Sequence, residues 1–353
     1  MIRSGDVIRH LQRFQRPPRG GVVAFRFDDG PVTDLPFCLL MSRWGIPVEI
    51  AIPAAYVGQR HRLTVTHLKR LMRAGHTVAN HSWSHGPSPK TVDDVVSEIT
   101  TADQWFDSHG IATWSFVQPG PWSGNGPGSL HNTSGSAALN RRIGDRYVCL
   151  EGYAAQPLQP LPLDGDARLG LSHVTVDELP WPAMAGLVRR VASDCLFAEL
   201  VVHTAKVVKT ARGALLAARI CRLARLCREY ERRGLLRCHS VLGGVFAGRT
   251  HPESLVDDPP SFVAEDGSLV WRPKEPLLPG ISYAIECPFR NGARRHLRGG
   301  VLRETLRGCE VPLRLRPSGG GLMARCGIDA PGSWELRLPP ATAAALSVTM
   351  HVG

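Results

Sequence analysis

The sequence predicts an α/β fold followed by a smaller all-β part, and three observations carry that expectation. From Gly21 to about Val245, short apolar runs alternate with amphipathic helical stretches. That is the pattern of repeated βα units and hence of a parallel sheet, open or closed into a barrel. After His251 the helical periodicity stops, and short β-prone runs follow, separated by turn clusters such as Pro317-Ser318-Gly319-Gly320-Gly321. At 353 residues the chain is long for a single core, so one large unit plus a smaller one is the default.

The first element is a helix over residues 6–15, with Val7, Ile8, Leu11 and Phe14 on one face and Arg9 and Arg13 elsewhere. Pro17 and Pro18 stop it. It is expected to pack on the main unit, with a peripheral membrane contact as the alternative. Val22 to Phe27 reads as a strand, Leu35 to Arg43 as a helix ended by Gly45, and Pro47 to Ile52 as a strand. Thr64 to Ala74 reads as a helix stopped by Gly75, and His76 to Asn80 as a strand. Thr91 and Asp94 form a capping-box pattern for a helix running to Ser108. A strand follows at Trp114 to Val117, then a long Gly/Pro/Ser/Asn-rich loop from Pro119 to Ser136. Residues 145–175 give no clear pattern. A helix at Pro182–Ala192, a strand at Leu196–Val202, a long helix at Lys206–Arg233 and a strand at Arg237–Val245 complete the α/β part. In the C-terminal part, strands are expected at Leu269–Arg272, Ile281–Phe289, Val311–Leu315, Leu322–Cys326, Trp334–Leu338 and Leu346–Val352. The resulting division is an N-terminal helical extension at 1–20, the α/β unit at 21–248 and an antiparallel β-sandwich at 249–353.

Composition excludes several classes. No apolar run approaches the roughly 18 residues of a membrane-spanning helix. The first twenty residues lack the continuous apolar core of a secretory signal, so a cytoplasmic protein is expected. Nine cysteines without close paired spacing form no disulfide framework and no thiolate zinc site. The net charge of +11 is uneven: Ala205 to His239 holds ten Lys or Arg against two Glu, whereas Thr250 onward holds twelve against eleven acids. Arg219, Arg222, Arg225, Arg228 and Arg232 lie near helical spacing. They read as a solvated outer face or as a patch for an anionic glycan, lipid headgroup or nucleotide-linked sugar. No nucleic-acid recognition motif accompanies the charge, so nucleic acid is not an expected partner.

Two segments carry the chemistry. Arg26-Phe27-Asp28-Asp29-Gly30-Pro31 ends one apolar run, and Gly75-His76-Thr77-Val78-Ala79-Asn80-His81-Ser82-Trp83-Ser84-His85 follows another. They supply one carboxylate and two imidazoles for a divalent metal, with a second carboxylate to spare. Histidines four apart face one side if the backbone turns helically there.

These segments, in this order and spacing, resemble the polysaccharide deacetylases, the NodB-like carbohydrate esterases, over roughly residues 20–245. The resemblance implies a distorted (β/α) barrel and one divalent metal, zinc first, with cobalt, nickel or manganese as alternatives. It implies Asp28 as general base, Asp29, His81 and His85 as metal ligands, and a backbone N–H near Gly120 as oxyanion donor. Glu199-Leu200-Val201-Val202-His203 is similar to the family's last motif, which makes His203 the general acid. In Val117-Gln118-Pro119-Gly120 the family's arginine position holds Val117. Arg26 lies two residues before Asp28 on the same strand and so on the same face. It is the expected substitute, with another acidic neighbour as its alternative partner. Trp122, His131 and Trp181 are candidates for stacking on sugar, or for core packing.

The resulting expectation is a metal-dependent hydrolase that removes N-acetyl groups from an amino sugar, glycan or glycoconjugate precursor, with an anionic carrier as a possible part of the substrate. One alternative is a hydrolase of another amide, such as a cyclic ureide or formamide, on the same fold. Another is a glycan-binding pseudoenzyme. The C-terminal part is expected to be structural or to mediate a homo-oligomer.

Overall fold

The computed structural model describes residues 3–13, 20–87, 89–122, 130, 139–153, 157–163, 167–207, 211–247, 263–265, 268–273, 277–288, 300–304, 309–318, 321–329, 333–338 and 349–352. The expected α/β part is a curled, half-barrel sheet around β1 (Gly21–Asp28). Its strands are β2 (Val48–Ile52), β3 (Thr77–Asn80), β4 (Thr113–Val117), β5 (Cys149–Glu151), β6 (Leu158–Pro160), β7 (Val174–Thr175), β8 (Leu196–Val202) and β9 (Leu236–His239). They lie in the order β5-β4-β3-β2-β1-β8-β6, with β7 on β8 and β9 on β1. Only β6 runs antiparallel to its neighbour.

Alternation along β1 decides what each face does. Val23, Phe25 and Phe27 turn to a core shared with α2 (Asp34–Trp44), α3 (Val65–Arg73), α5 (Trp181–Ser193) and α6 (Ala211–Arg232). Arg26 and Asp28 turn to the hollow face, where Ala51, Ala79 and Val117 form a small apolar cluster of their own. The helices end where the sequence says they should. Gly45 caps α2 at φ 70°, and Thr91 and Asp94 cap α4 (Val92–Ser108) reciprocally.

One expectation needs correction. Val241–Phe246 is not the end of a strand but a short helix, α7, because Ser240 Oγ accepts from Gly243 N. Gly244 then fits against Phe197, where a Cβ would sit 2.4 Å from the ring. Five arginines of α6 have partners, with Arg222 and Arg225 still exposed as on a solvated outer face. Arg222 stacks on Trp181 at 3.9 Å and Arg225 lies over Trp44 at 5.7 Å. Arg219 donates to Leu179 O, and Arg228 and Arg232 pair with Glu231 and Glu229.

α1 (Ser4–Arg13) packs Val7 and Leu11 into a second core with α7 and the C-terminal strands, and His10 Nε2 meets the Tyr283 hydroxyl at 2.9 Å. Two antiparallel sheets make up the C-terminal part. One contains β10 (Val263–Glu265), β11 (Ser268–Trp271), β17 (Trp334–Leu338), β13 (Gly300–Glu304) and β14 (Glu310–Leu313). The other contains β15 (Arg316–Ser318), β16 (Gly321–Gly327), β12 (Ser282–Pro288) and β18 (Thr349–Val352). The six expected strands lie here, and β10, β13 and β15 are additional. The 248/249 boundary lies outside the described residues. Among the described residues no helix is long and apolar enough to cross a membrane.

Candidate active site

The chemistry-bearing residues gather at the C-terminal ends of the parallel strands. β1 runs directly into Asp29 at φ 72° and Gly30 at φ 58°. Aspartate tolerates this left-handed conformation better than most residues. At Gly30 a Cβ would meet Ile52 at 2.1 Å, so the Asp-Asp-Gly order is a backbone requirement as well as a chemical one. Arg62 Nη1 holds the Asp29 carbonyl at 2.8 Å.

His81 follows β3, and its Nδ1 faces Val117 O at 2.9 Å. With the proton on Nδ1, the Nε2 lone pair is directed toward Asp29 Oδ1, 3.8 Å away. Burial, and to a lesser degree the neighbouring His85, bring His81 down to about 4, against the pull of Asp28, so the ring is neutral near pH 7. His85 Nε2 lies 3.3 Å from the same Asp29 oxygen. The two histidines do not converge through a helical turn. Ser82 at φ 69° and His85 at φ 53° fold a tight loop, in which Asn80 Oδ1 accepts from Ser82 N and Ser82 Oγ accepts from His85 N. One ligand atom from each of Asp29, His81 and His85 lies within 4.8 Å of the others. A carboxylate with two imidazole nitrogens, one fixed in the ligating tautomer, fits a divalent transition metal.

Asp28 is gripped by Arg26 through Nε–Oδ1 at 2.8 Å and Nη2–Oδ2 at 3.2 Å. Burial alone would raise the carboxyl, but Arg26, with His81 and His203, holds it well below the usual carboxylate range. Arg26 is 1% exposed and also donates to Glu151 Oε2 at 2.7 Å and to Glu199. Glu49 lies beside this group, accepting from Ser115 Oγ at 2.6 Å. Burial pushes Glu49 and Glu199 up, while the Arg26 charge opposes that rise in both.

His203 stands at the end of β8, its Nε2 4.0 Å from Asp28 Oδ2. Its Nδ1 meets Asp177 Oδ2 at 2.8 Å, and its backbone N donates to Asp177 Oδ1 at 3.0 Å. Burial would lower the imidazole, but the Asp177 bond and the Asp28 charge outweigh it and raise His203. Lys206 Nζ, 2.8 Å from Asp177, helps keep that carboxylate ionised.

A Cβ at Gly120 would lie 3.4 Å from the hydroxyl of Tyr153, which burial and then the charge of Asp28 raise. Trp122 is a correction. It is 1% exposed, packs in the core near Phe116, and donates its indole N–H to Gly86 O at 3.2 Å, so it offers no ring face to a sugar. Trp181 is covered by Arg222, and His131 lies outside the described residues.

Sequence reasoning passed over Asp177, Glu151 and Glu199. β7 has only two residues, too few for a pattern, but its pairing with β8 brings Asp177 level with His203. The other two carried a usable signal, a lone carboxylate within an otherwise apolar run, as does Glu49.

Residues 15–121 match the family model of the polysaccharide deacetylases, in line with the resemblance read from the motifs. No curated protein matches the chain. Among solved structures it is similar to a family 4 carbohydrate esterase from Streptomyces lividans in complex with acetate, at 19% identity, 63% of this chain, 93% of that one and TM-score 0.39. A mutant peptidoglycan deacetylase from Bacillus subtilis is 16% identical over 65% of this chain and 93% of its own, at TM-score 0.39. A pseudoenzyme of the same esterase family from Bacillus anthracis is 12% identical over 59% and 62%, at TM-score 0.37.

Proposed function

We propose, on the premise of a polysaccharide deacetylase segment at 15–121, that the protein is a metal-dependent deacetylase acting on the N-acetyl group of an amino sugar, as a glycan or glycoconjugate precursor. One observation carries this reading: a carboxylate gripped by Arg26 and an imidazole whose hold on its proton Asp177 strengthens stand 4.0 Å apart beside the Asp29, His81 and His85 cluster.

In this reading Asp29, His81 and His85 would hold the metal, which when bound would supply Lewis acidity to the acyl carbonyl and to water. Asp28 takes the proton of the attacking water. Arg26 keeps Asp28 ionised and aimed, filling the role left open by Val117. His203 gives its Nε2 proton to the departing amine, and Asp177, accepting from Nδ1, keeps the ring oriented with Nε2 toward the mouth. A backbone N–H at Gly120 steadies the developing oxyanion. In the same reading the half-barrel is the counterpart of a distorted (β/α) barrel, and the two antiparallel sheets are proposed to form a C-terminal sandwich.

The test is acetate release from free, nucleotide-linked and lipid-linked N-acetylated sugars, after chelation and after restoring zinc, cobalt, nickel or manganese. Acetate that returns only with metal supports the reading. A protein that binds one metal per chain and releases no acetate from any of them contradicts it, and leaves another amide substrate or a binding role.

A further inference from the structure

A second concentration of charge lies at the other end of the sheet. The C-terminal ends of α2 and α3 meet β14, β15 and β16 around a cavity of about 400 Å³, within the size range of ligand sites. Six arginines line it, Arg43, Arg70, Arg73, Arg314, Arg316 and Arg325, against one acid, Glu310. α2 begins just beyond Asp29 and ends at this cavity, and its eleven residues span about 16 Å at about 1.5 Å each. The cavity is therefore separate from the mouth.

Two of the six arginines have internal duties. Arg73 pairs with Asp329 at 2.8 Å, and Arg325 pairs with Glu231 at 3.3 Å while donating to Gly45 O at the end of α2. Helix C-termini attract cations, which accounts for Arg325 and for the placing of Arg43 and Arg70 in last turns. It does not account for Arg314 and Arg316, which come from a different segment and face the same space. Arg43, Arg70, Arg314 and Arg316 have no ion pair among the described residues. The field is strong enough to act on its own members: burial and then Arg314 lower Arg316. Nearby Arg228 is brought to about 10, by burial first, with Arg325, Arg316 and Arg232 repelling it.

Like charges held together at a concave site carry a repulsion that a bound anion relieves. Planar guanidinium forks match the oxygen geometry of phosphoryl groups. We infer that this arginine-lined pocket binds a diphosphate group, as a soluble anion or as part of a larger phosphorylated molecule, at a site distinct from the catalytic mouth.

The test is isothermal titration of the full chain with inorganic diphosphate and, separately, a nucleoside diphosphate, at low and at raised salt. Both should bind with one site per chain. The pair Arg314→Gln with Arg316→Gln should weaken binding about tenfold per arginine. The independent pair Arg43→Gln with Arg70→Gln, on exposed helix ends, should do the same. The pair Arg189→Gln with Arg190→Gln, elsewhere on the surface, should leave affinity unchanged. Acetate release should be equal in all three, so this inference and the deacetylase reading can fail separately. No binding of diphosphate, or equal weakening by all three pairs, overturns the inference. So does binding to phosphatidylglycerol vesicles without binding of either soluble diphosphate, which would indicate a surface contact instead of a pocket.

Discussion

The two ends of the half-barrel handle charge in opposite ways. At the mouth, each titratable group proposed to act is set by a specific partner: Asp28 by the two-pronged contact with Arg26, His203 by Asp177, and the His81 tautomer by Val117 O. At the far end, four arginines share a cavity with no ionic partner among the described residues. Pairwise contacts tune individual protonation states, which proton transfer needs. An unpaired field offers general attraction for an anion, which binding needs. A third region, α6, shows that charge density alone decides neither, since Arg219, Arg222, Arg225, Arg228 and Arg232 meet a carbonyl, two rings and two glutamates.

The largest effect that would break this comparison lies at Arg26. Arg26→Ala leaves Asp28, Glu151 and Glu199 buried without their cation, and removing one partner of a buried ion pair costs about 3–5 kcal/mol. Denaturant titration should find a loss of this size. Arg26→Lys keeps the charge and loses the fork. Asp28 should then titrate higher, moving the acid limb of the pH–rate profile upward. An unmoved limb would mean that Arg26 does not tune Asp28.

Asp177→Asn comes next. It removes the contact that raises His203, so the imidazole should lose its proton at lower pH. As the acid form is the active one, the alkaline limb should move down, with turnover falling by about 10²-fold, at the low end of general acid–base contributions. A fall in turnover with both limbs in place would make Asp177 structural only.

An effect of similar size belongs to His76, away from the mouth, where its Nε2 meets the hydroxyl of Ser42 at 2.6 Å beside the arginine cavity. His76 is buried, accepts from Val48 N at 3.0 Å, and burial lowers it to about 4. The folded state resists protonation that the unfolded chain accepts near 6.5, so stability is present above that pH and is lost as pH falls from about 6.5 toward 4. The loss should reach roughly 3 kcal/mol, at about 1.4 kcal/mol per unit. His76→Gln should flatten this slope in equilibrium unfolding. The smallest effect is Arg222→Ala, which should cost about 0.5 kcal/mol from the stack on Trp181 and leave diphosphate affinity unchanged.

The parallel strands and helices outside residues 145–175 were legible because they carry their own period and stop, as with Gly45, Gly75 and the Thr91–Asp94 cap. Metal-type ligands were legible because Asp29, His81 and His85 lie next to strand ends in short segments of sequence. Asp177 was not, because a two-residue strand has no period and only its pairing with β8 gives it a place. The helix at Val241–Phe246 reads as strand by composition, and only the Ser240 cap betrays it. Trp122 reads as a candidate for stacking or for core packing, and its burial decides for the core. The arginine pocket was illegible because its residues come from two helix ends and three distant strands. Charge counted along the chain gives the C-terminal part a nearly even balance and so conceals where its arginines meet.

The most direct test of the central claim compares wild type with Asp28→Asn, measuring metal content and metal-restored acetate release on the same samples. The account predicts that both bind one metal per chain, and that the variant loses about 10²–10⁴-fold in turnover. Equal turnover in the two proteins would contradict Asp28 as the base and, with it, the mechanism built on the Arg26 pair.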